Sequence, residues 1–502
     1  MNSINKSMWD RNTQNHNNRY IFRLNIFNQA IFYKKPPKQL SYQLHQLVRY
    51  SLVLFSFFLI GCSPELKPDL ARLYKISNDS QQPPVIIIPG ILGSRIANNK
   101  DNKEVWVGSV SRLLFSDFEE LRFGIDPEIL EPIVPPQHVS GITDTVAGQD
   151  FYGSIIDTLH DAGGYAEGII GEPAIKGERR YYVYTYDWRQ DNVKSAQGLS
   201  QLIKTIREDY NDPDLKVDIV AHSMGGLVTR YYLRYGELDV LDRDDFPVTL
   251  TGAETVRRVV LLGTPNLGSV NSVVSFIRGF KIGLTRIPTE TVATFPSVYQ
   301  LFPHALNDWI VSEHGKPLNR DLFSRQVWER FGWSVFDEQV QTRILKGFDN
   351  IEAGQAYIKT LQDYFHKQLE RARRFSWSLT VPLPEVPYHM VIFGGDCSLT
   401  PARMIVEAID GDFEIRLWPK DIANPIPGIN YDNIMLEPGD GTVTKASLLA
   451  RETLDPSVPR HKYSFFPAEY PIFVCEGHER LTQNPTFQDN LLHYLLSQDI
   501  SD

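Results

Sequence analysis

Long apolar runs are scarce in this chain of 502 residues. Apart from one segment near the start, none approaches the ~20 residues that a membrane-spanning helix needs. There is no basic stripe, and the net charge of -10 argues against nucleic acid as a partner. Internal repeats are absent as well. The composition, 42% hydrophobic and 12% aromatic, is that of a globular protein. The length allows one large domain with insertions or two domains of ordinary size.

The apolar segment near the start is Ser51–Ile60, which has the length of a signal-peptide core, roughly 7–15 residues. Basic residues Lys38 and Arg49 precede it, and residues 59–62, Leu-Ile-Gly-Cys, resemble the lipobox of bacterial lipoproteins. In such proteins the signal is cut before the cysteine, which then carries the lipids. Cys62 is therefore the predicted lipid-attachment site, and a short buried strand or helix is the alternative.

These features predict a leader and signal peptide over residues 1–61 and a proline-punctuated tether over 62–84. About forty residues precede the apolar core, more than such signals usually carry, so we expect a true start downstream of Met1 or a disordered, Asn-rich leader. Ser63, rather than an aspartate, follows the cysteine, which resembles outer-membrane sorting in Gram-negative bacteria. The expected location is the bacterial cell envelope, lipid-anchored at the outer membrane and facing the periplasm or the surface.

Two further cysteines, Cys397 and Cys475, are left once Cys62 is assigned to the lipid. An oxidising envelope compartment would allow them to pair. A bridge would stiffen the segment that follows Cys475. Two separate buried thiols are the alternative, which the sequence slightly favours.

Beyond the tether, apolar strands alternate with amphipathic helices, the pattern of a mostly parallel sheet covered by helices on both faces. We predict an α/β fold with core segments over residues 85–268 and 388–502, and a lid-like insertion near 95–140. Residues 269–387 are richer in aromatics and mainly helical, which indicates a cap inserted into the sheet domain. Ser195 is the expected N-cap of the helix that precedes the central strand.

One strand-to-helix turn is the most informative segment of the chain. An apolar run, Val217–Val220, has the composition of a buried parallel strand, and Gly226–Leu233 has the pattern of a helix. Ser223 lies between them on a tight turn that lifts its hydroxyl out of the backbone. The small residues Ala221 and Gly225 allow strand and helix to approach closely. This is the nucleophile elbow of an α/β-hydrolase, and a buried serine in a packing turn is the alternative.

A serine nucleophile needs a base, and the base needs an acid to orient it. In an α/β-hydrolase the chain order is serine, acid, histidine. The histidine should lie in the loop before the last helix. His478, directly after the Tyr470–Val474 strand, occupies that place, whereas His461 and His493 fit it less well.

Two acids compete for the remaining role. Asp396 follows the Tyr388–Phe393 strand immediately, which is the usual place. Asp440 comes later, between glycines that would let a tight loop hold its carboxylate. By position alone the two are equal.

An oxyanion hole needs two backbone N–H groups aimed at the developing charge. Met224, at the start of the helix after Ser223, offers one, and Ile91 in the glycine-rich Pro89–Ser94 loop offers the other. The loop does not resemble a phosphate cradle because no Gly-Lys-Ser/Thr follows it. A plain glycine-rich turn is the alternative.

Several blocks together resemble the lecithin:cholesterol acyltransferase family, and they span nearly all of the chain after the tether. The Tyr-Asp-Trp-Arg block is far more selective than the serine motif. The blocks are residues 89–94 (Pro-Gly-Ile-Leu-Gly-Ser), 186–189 (Tyr-Asp-Trp-Arg), 221–226 (Ala-His-Ser-Met-Gly-Gly), 263–268 (Gly-Thr-Pro-Asn-Leu-Gly), 439–443 (Gly-Asp-Gly-Thr-Val), and His478 with Leu481.

The resemblance implies Asp440 rather than Asp396 as the acid, Ile91 and Met224 as oxyanion donors, and no metal or organic cofactor. Members of the family move a fatty acyl chain from a glycerolipid to an alcohol or to water. We therefore expect a serine-dependent lipid O-acyltransferase or acyl hydrolase that works through an acyl-enzyme, with membrane lipids or lipoprotein-like particles as substrate. The alternatives are a lipase or phospholipase with water as the only acceptor and, remotely, a non-catalytic surface lipoprotein.

Some positions keep two interpretations. The region of Trp106 and residues 113–115 matches the family's membrane-contacting insertion in position and aromatic character, but Trp106 as buried packing is equally consistent. Asp187 and Arg189 either form a structural ion pair, which we favour, or touch the substrate. The first glycine of the elbow is replaced by Ala221, the next smallest residue.

Lipidation at Cys62 predicts that labelled fatty acid enters the protein in a bacterial host. The label should vanish in the Cys62→Ser variant, because the hydroxyl cannot take the place of the thiol that carries the lipids. Metabolic labelling followed by gel autoradiography measures this. Labelling that survives the substitution would show that Cys62 is not the anchor.

Overall fold

The computed structural model describes residues 67–75, 81–109, 112, 115–146, 149–175, 178–305, 307–450 and 466–497. The predicted leader, Cys62 and His461 lie outside these residues. All described residues belong to one unit of the chain, Lys67–Asp502. Within this described part, no helix combines the length and the apolar character that crossing a bilayer requires. A short helix, Leu70–Tyr74, precedes the first strand.

A seven-stranded sheet forms the centre of the fold, and every pair of neighbouring strands in it is parallel. In chain order the strands are β1 (Val85–Ile88), β2 (Ala166–Glu167), β3 (Arg180–Val183), β4 (Val217–His222), β5 (Val256–Leu262), β6 (His389–Gly395) and β7 (Tyr470–Val474). Their order across the sheet is β7-β6-β5-β4-β1-β3-β2. The predicted α/β-hydrolase fold class is confirmed.

Both faces of the sheet are buried because its strands carry apolar side chains at successive positions. In β1, Ile86 and Ile88 join the apolar cluster on one face, and Val85 and Ile87 join the cluster on the other. Within the described residues, the helices of nine residues or more are α1 (Asn192–Asp209), α2 (Met224–Tyr235), α3 (Val270–Arg278), α4 (Glu338–Lys346), α5 (Ile351–Ser378) and α6 (Pro485–Leu496). Apolar residues of α1 and α2 belong to the first cluster and those of α6 to the second.

Helix α1 begins earlier than predicted. The carboxylate of Asp191 accepts a hydrogen bond from the Val193 N–H at 2.8 Å and caps the helix. Ser195 is buried within the first turn, so its prediction as the N-cap is wrong. The same Asp191 carboxylate pairs with Arg371 of α5, which fixes the start of α1 against the inserted helices.

The chain between β5 and β6 is mainly helical and packs around aromatic side chains. Phe276 of α3 makes edge contacts with Tyr299 and Trp328, at ring-centroid distances of 4.4 and 6.2 Å. The shorter elements of this insertion are the helices Thr289–Val292, Pro296–Tyr299 and Arg325–Phe331, the 3-10 helix Ser334–Phe336, the hairpin Phe280–Ile282 with Thr285–Ile287, and the strand Ile310–Ser312.

A second insertion separates β6 from β7. Strand Ser398–Pro401 leaves the end of β6, and strand Leu436–Gly439 returns antiparallel beside it. The other elements here are strands Met404–Ile409 and Asp412–Arg416, helices Tyr431–Met435 and Lys445–Leu448, and the 3-10 helix Pro419–Asp421. Met404–Ile409 also pairs with Ile310–Ser312, so the two insertions are joined.

Smaller elements complete the fold. Strands Ser94–Asn98, Glu104–Trp106 and Gln137–Ile142 form a three-stranded sheet after β1. Two-residue strand pairs are Gly124–Ile125 with Pro132–Ile133, and Thr145–Val146 with Gln149–Asp150. Helix Gly153–Asp157 continues as a π-helix over Thr158–Ala162, and 3-10 helices cover Glu119–Leu121, Ala253–Thr255 and His478–Gln483.

The Tyr-Asp-Trp-Arg block lies in the interior. The Arg189 guanidinium is fully buried and forms a bidentate pair with Asp187, with both N–H···O distances at 2.8 Å. It also donates to the Leu121 carbonyl at 3.0 Å and lies over the Phe123 ring. Trp106 is buried too and donates its indole N–H to a backbone carbonyl, so this residue is packing rather than a membrane contact. Leu113 and Leu114, named with it, lie outside the described residues.

Replacing Arg189 by methionine should lower the free energy of unfolding by about 3–5 kcal/mol, because the Asp187 carboxylate, whose side chain is only 12% exposed, loses its counter-charge. Urea unfolding measures the change. Arg243→Met is the matched control, since Arg243 forms its ion pair with Asp245 in solvent, where both side chains are more than half exposed. Equal midpoints for the two variants would show that the Asp187–Arg189 pair does not hold the fold.

Candidate active site

Ser223 lies in the turn between β4 and α2, in a strained backbone conformation with φ 54° and ψ −124°. Two glycines make this turn sterically feasible. A β-carbon on Gly90 would lie 2.7 Å from the Ser223 β-carbon, and one on Gly225 would lie 2.6 Å from the Pro89 carbonyl oxygen. The serine side chain therefore points out of the turn at the carboxyl end of the sheet, against the loop that follows β1.

His478 reaches this serine from the segment after β7. Its Nε2 is 3.0 Å from the Ser223 hydroxyl oxygen, and its Nδ1 is 2.7 Å from an Asp440 carboxylate oxygen. The backbone N–H of His478 also donates to the Asp440 carbonyl at 3.0 Å. Thus the structure brings three of the predicted residues into one hydrogen-bonded series. This series can remove the hydroxyl proton and stabilise the resulting imidazolium.

Asp440 is buried, and its two carboxylate oxygens have different partners. Oδ1 accepts hydrogen bonds from the Thr442 and Val443 N–H groups at 2.9 and 2.7 Å, which leaves Oδ2 for His478. Its rival, Asp396, is instead paired with Lys445 at 2.7 Å. The two acids were equally good candidates by sequence position, and in the structure Asp440, not Asp396, contacts His478.

The pKa values of the pair follow from these contacts. Burial alone would raise the pKa of Asp440, but the neighbouring His478 and the two backbone N–H groups outweigh it and lower the pKa. Burial alone would lower the pKa of His478, but the charge of Asp440 and its hydrogen bond outweigh it and raise the pKa. Both shifts favour the state with an ionised carboxylate beside a protonated imidazole.

Cys397 and Cys475 form a disulfide with a Cα–Cα distance of 5.1 Å. The sequence slightly favoured two separate thiols, and that prediction is wrong. The bridge joins the end of β6 to the end of β7, three residues before His478. It ties the segment that carries the histidine to the edge of the sheet.

The two predicted oxyanion donors belong to two different segments near Ser223. Met224 begins helix α2, where the first N–H groups have no partner within the helix. Ile91 lies in the turn after β1. Among the described residues, no backbone or side-chain acceptor is bound to the N–H of Ile91 or of Met224, so both remain available to an oxyanion.

Two residues of the site, Tyr152 and His222, were not predicted from the sequence. The Tyr152 hydroxyl lies 2.8 Å from the Gly90 nitrogen and 2.8 Å from His222 Nδ1, and His222 Nε2 lies 3.2 Å from the His478 carbonyl oxygen. For His222 the available signal was its place directly before Ser223. Tyr152 gave no signal, since it lies at the start of an ordinary amphipathic segment. His493 is exposed on α6 and takes no part.

Within the described part of the chain, there is no group of three or more His, Cys, Asp or Glu side chains arranged to hold a metal ion.

A family model described as lecithin:cholesterol acyltransferase matches residues 175–450, more than half of the chain. The matched part includes Ser223 and Asp440, while Ile91 and His478 lie outside it. No curated protein sequence gives a significant match.

Solved structures are similar at low sequence identity, which concerns the fold alone. A chain of the Tle4–Tli4 complex is 16% identical with a TM-score of 0.50, over 83% of this chain and 98% of that chain. The mature lipase BlEst2 from Bacillus licheniformis is 11% identical with a TM-score of 0.32, over 84% and 94%. Lipase 1 from Pelosinus fermentans is 11% identical with a TM-score of 0.35, over 84% and 100%.

The raised pKa of His478 predicts the acid limb of Ser223 reactivity. Only the neutral imidazole can accept the hydroxyl proton, so the rate of modification by a fluorophosphonate should fall as the pH drops through that pKa. The midpoint should lie above the ordinary histidine value of about 6.5. In Asp440→Asn the midpoint should move to lower pH, because the charge that raises the pKa is gone, and the rate should fall by roughly 10⁴-fold.

Asp396→Asn is the matched control for this measurement, because it removes a carboxylate of the same type near the same strand end. It should leave both the midpoint and the rate close to those of the unmodified protein. The assignment of the acid would be reversed if Asp396→Asn, and not Asp440→Asn, abolished the reaction.

Proposed function

This chain belongs to the lecithin:cholesterol acyltransferase family, and from that premise we propose that it is a serine-dependent enzyme that transfers acyl groups of lipids. The donor is a glycerolipid, and the acceptor is an alcohol or water. The observation that carries the proposal is the series Ser223–His478–Asp440, with distances of 3.0 and 2.7 Å between the hydrogen-bonded atoms. These are the distances of a serine activated by an oriented base.

In the acylation half of the reaction, His478 Nε2 takes the hydroxyl proton while Ser223 Oγ attacks the ester carbonyl carbon. The tetrahedral oxyanion lies between the N–H groups of Ile91 and Met224, which stabilise its charge. When it collapses, the ester C–O bond breaks, the imidazolium gives its proton to the departing lipid alcohol, and the acyl chain stays on Ser223. Asp440 remains ionised throughout and stabilises the imidazolium.

The second half repeats these steps with the acceptor. An alcohol or a water molecule loses its proton to His478 and attacks the acyl-enzyme. The proton then returns to Ser223 Oγ, and a new ester or a free fatty acid leaves. Exclusion of water from the acyl-enzyme favours the alcohol, so the balance between transfer and hydrolysis depends on how the site is covered.

The helical insertion between β5 and β6 is the proposed cover. It begins beside the acid, because the Ser269 hydroxyl donates to the Thr442 carbonyl at 2.6 Å and the Asn271 amide donates to the Gly441 carbonyl at 3.3 Å. Helix α3 therefore starts against the loop that carries Asp440. A cover attached at this point would shield the site and line a path for the acyl chain.

Attachment of the enzyme to a membrane through a lipidated Cys62, in a bacterial envelope, is part of the same proposal. The Cys397–Cys475 disulfide supports an oxidising compartment, since such bonds are rare in reducing ones. An anchored enzyme would meet membrane lipids as its substrate.

Vesicles of acyl-labelled phosphatidylcholine that also contain a long-chain alcohol should yield labelled product when incubated with the full-length protein. Ser223→Ala should abolish product formation by several orders of magnitude, because the acyl-enzyme cannot form. Thin-layer chromatography separates the products. Label in the alcohol ester supports acyl transfer, and label only in free fatty acid supports the lipase or phospholipase alternative. Equal product from Ser223→Ala, or no labelled product from the unmodified protein, would overturn the proposal.

A further inference from the structure

Two side chains beside the proposed catalytic residues connect the loop after β1 to the histidine after β7. Gly90 N, Tyr152 Oη and His222 Nδ1 are joined by two contacts of 2.8 Å, and His222 Nε2 is joined to the His478 carbonyl oxygen by one of 3.2 Å. Tyr152 is almost fully buried, and the rings of His222 and His478 lie 4.9 Å apart. The four residues come from four separate segments of the chain.

The chemistry of these groups fixes the direction of every hydrogen bond. The His478 carbonyl can only accept, so His222 Nε2 must carry the proton. In a neutral imidazole Nδ1 is then an acceptor, and the Tyr152 O–H donates to it. The Tyr152 oxygen in turn accepts the Gly90 N–H. The chain of bonds therefore has one consistent arrangement, from Gly90 through Tyr152 and His222 to His478.

This arrangement needs a neutral His222 ring and a protonated Tyr152 hydroxyl, and the burial of both groups favours these states. Burial, together with the nearby charge of His478, lowers the pKa of His222 to about 3, so the ring stays neutral at working pH. Burial also raises the pKa of the Tyr152 hydroxyl, which therefore keeps its proton. A neutral His222 places no second positive charge beside His478 when that imidazole takes up its proton.

We propose that Tyr152 and His222 are positioning residues that hold the Gly90–Ile91 loop and the backbone of His478 in register with Ser223. The inference rests on the proposed function, since it concerns the aim of the Ile91 N–H and of the His478 ring. Gly90 precedes the proposed oxyanion donor, and His222 precedes the nucleophile. One series of hydrogen bonds thus sets the distances among donor, nucleophile and base.

The sensitivity of the site to this series follows from its packing. Because Gly90 lies against the Ser223 side chain, a shift of the loop changes the position of the oxyanion relative to the nucleophile. A misplacement of about 1 Å can reduce turnover by roughly 10²-fold. Tyr152→Phe removes the acceptor of the Gly90 N–H and the donor to His222 together, so it should lower kcat by about that factor and leave KM almost unchanged.

Two substitutions of His222 separate the two halves of the series. In His222→Asn the side-chain oxygen takes the place of Nδ1 and can still accept from Tyr152, but the donor to His478 is lost. In His222→Gln the amide nitrogen takes the place of Nε2 and can still donate to the His478 carbonyl, but the acceptor for Tyr152 is lost. Each should lower kcat by less than an apolar replacement, His222→Leu, does.

The matched control is Tyr431→Phe. The Tyr431 hydroxyl is also buried, also accepts a backbone N–H, from Ile426 at 3.1 Å, and also donates, to the Glu313 carbonyl at 3.0 Å. It lies in the insertion between β6 and β7, in an apolar cluster separate from the site. Removal of this hydroxyl should leave kcat and KM unchanged while testing the general cost of losing such a group.

The experiment measures kcat and KM of the full-length protein and its variants with p-nitrophenyl butyrate, together with the melting temperature of each. We expect a fall in kcat at constant KM for Tyr152→Phe and the His222 variants, at melting temperatures no lower than that of Tyr431→Phe. Tyr152→Phe should also lower kcat by a smaller factor when it is added to His222→Gln than when it is made in the unmodified protein, because the hydrogen bond between the two side chains is already absent in His222→Gln.

Several results would overturn the inference. One is an unchanged kcat in Tyr152→Phe and in both polar His222 variants, and another is a raised KM at constant kcat. A third is a fall in kcat that parallels the fall in melting temperature and is as large in Tyr431→Phe. If Tyr152→Phe fails to fold, the comparison of His222→Asn and His222→Gln with His222→Leu decides by itself. Full activity in Ser223→Ala would contradict the proposed function instead, so the two failures can be told apart.

Discussion

The close approach of strand β4 to helix α2 at Ser223 is the constraint that the other parts of the site must satisfy. The turn holds a serine at positive φ, a conformation that costs free energy for any residue other than glycine. It persists because the surrounding sheet fixes both ends, with β4 between β1 and β5 and α2 buried along its whole length. The same packing requires a glycine at position 90, and it thereby places the predicted oxyanion loop directly beside the nucleophile.

The carboxyl edge of a parallel sheet explains how residues far apart in the chain meet. All strands point the same way, so the segments after β1, β4, β6 and β7 emerge at one edge. Asp440 shows how this edge brings distant residues together. The chain leaves β6 at Gly395, passes through the second insertion, and returns on a strand whose Gly439 is paired with Ser398. Asp440 is therefore delivered to the end of β6, the place that Asp396 occupies in sequence, and both acids satisfy the same topological rule.

The buried charged side chains of Arg189 and Asp440 are each held by several partners. Arg189 has no solvent exposure and is balanced by Asp187, by a carbonyl and by the face of Phe123. Asp440 is held by two N–H groups that leave one oxygen for the histidine. Because an unpaired buried charge costs several kcal/mol, such groups are fixed in position as well as stabilised. The family's most selective sequence block thus serves the interior of the fold rather than the surface of the site.

Local sequence patterns were enough to predict the fold class, the strand Tyr470–Val474, and the candidate residues Ser223 and His478. These follow from local patterns: apolar runs of strand length, small residues around a serine, and a histidine after the last strand. The start of α1 was missed because Ser195 and Asp191 are both good caps in sequence, whereas in the structure the Asp191 carboxylate accepts the Val193 N–H and is held by Arg371. Resemblance, rather than position, singled out Asp440.

The remaining questions depended on contacts between distant parts of the chain. Whether Cys397 meets Cys475 and whether Trp106 is covered both depend on segments distant in sequence. The hydrogen-bonded series from Gly90 through Tyr152 and His222 to His478 is of the same kind. Each of its bonds joins residues more than sixty positions apart. Periodicity and motif spacing record only which neighbours a residue has along the chain, and the partners of a buried polar group are set by which strand ends the sheet brings to the same edge.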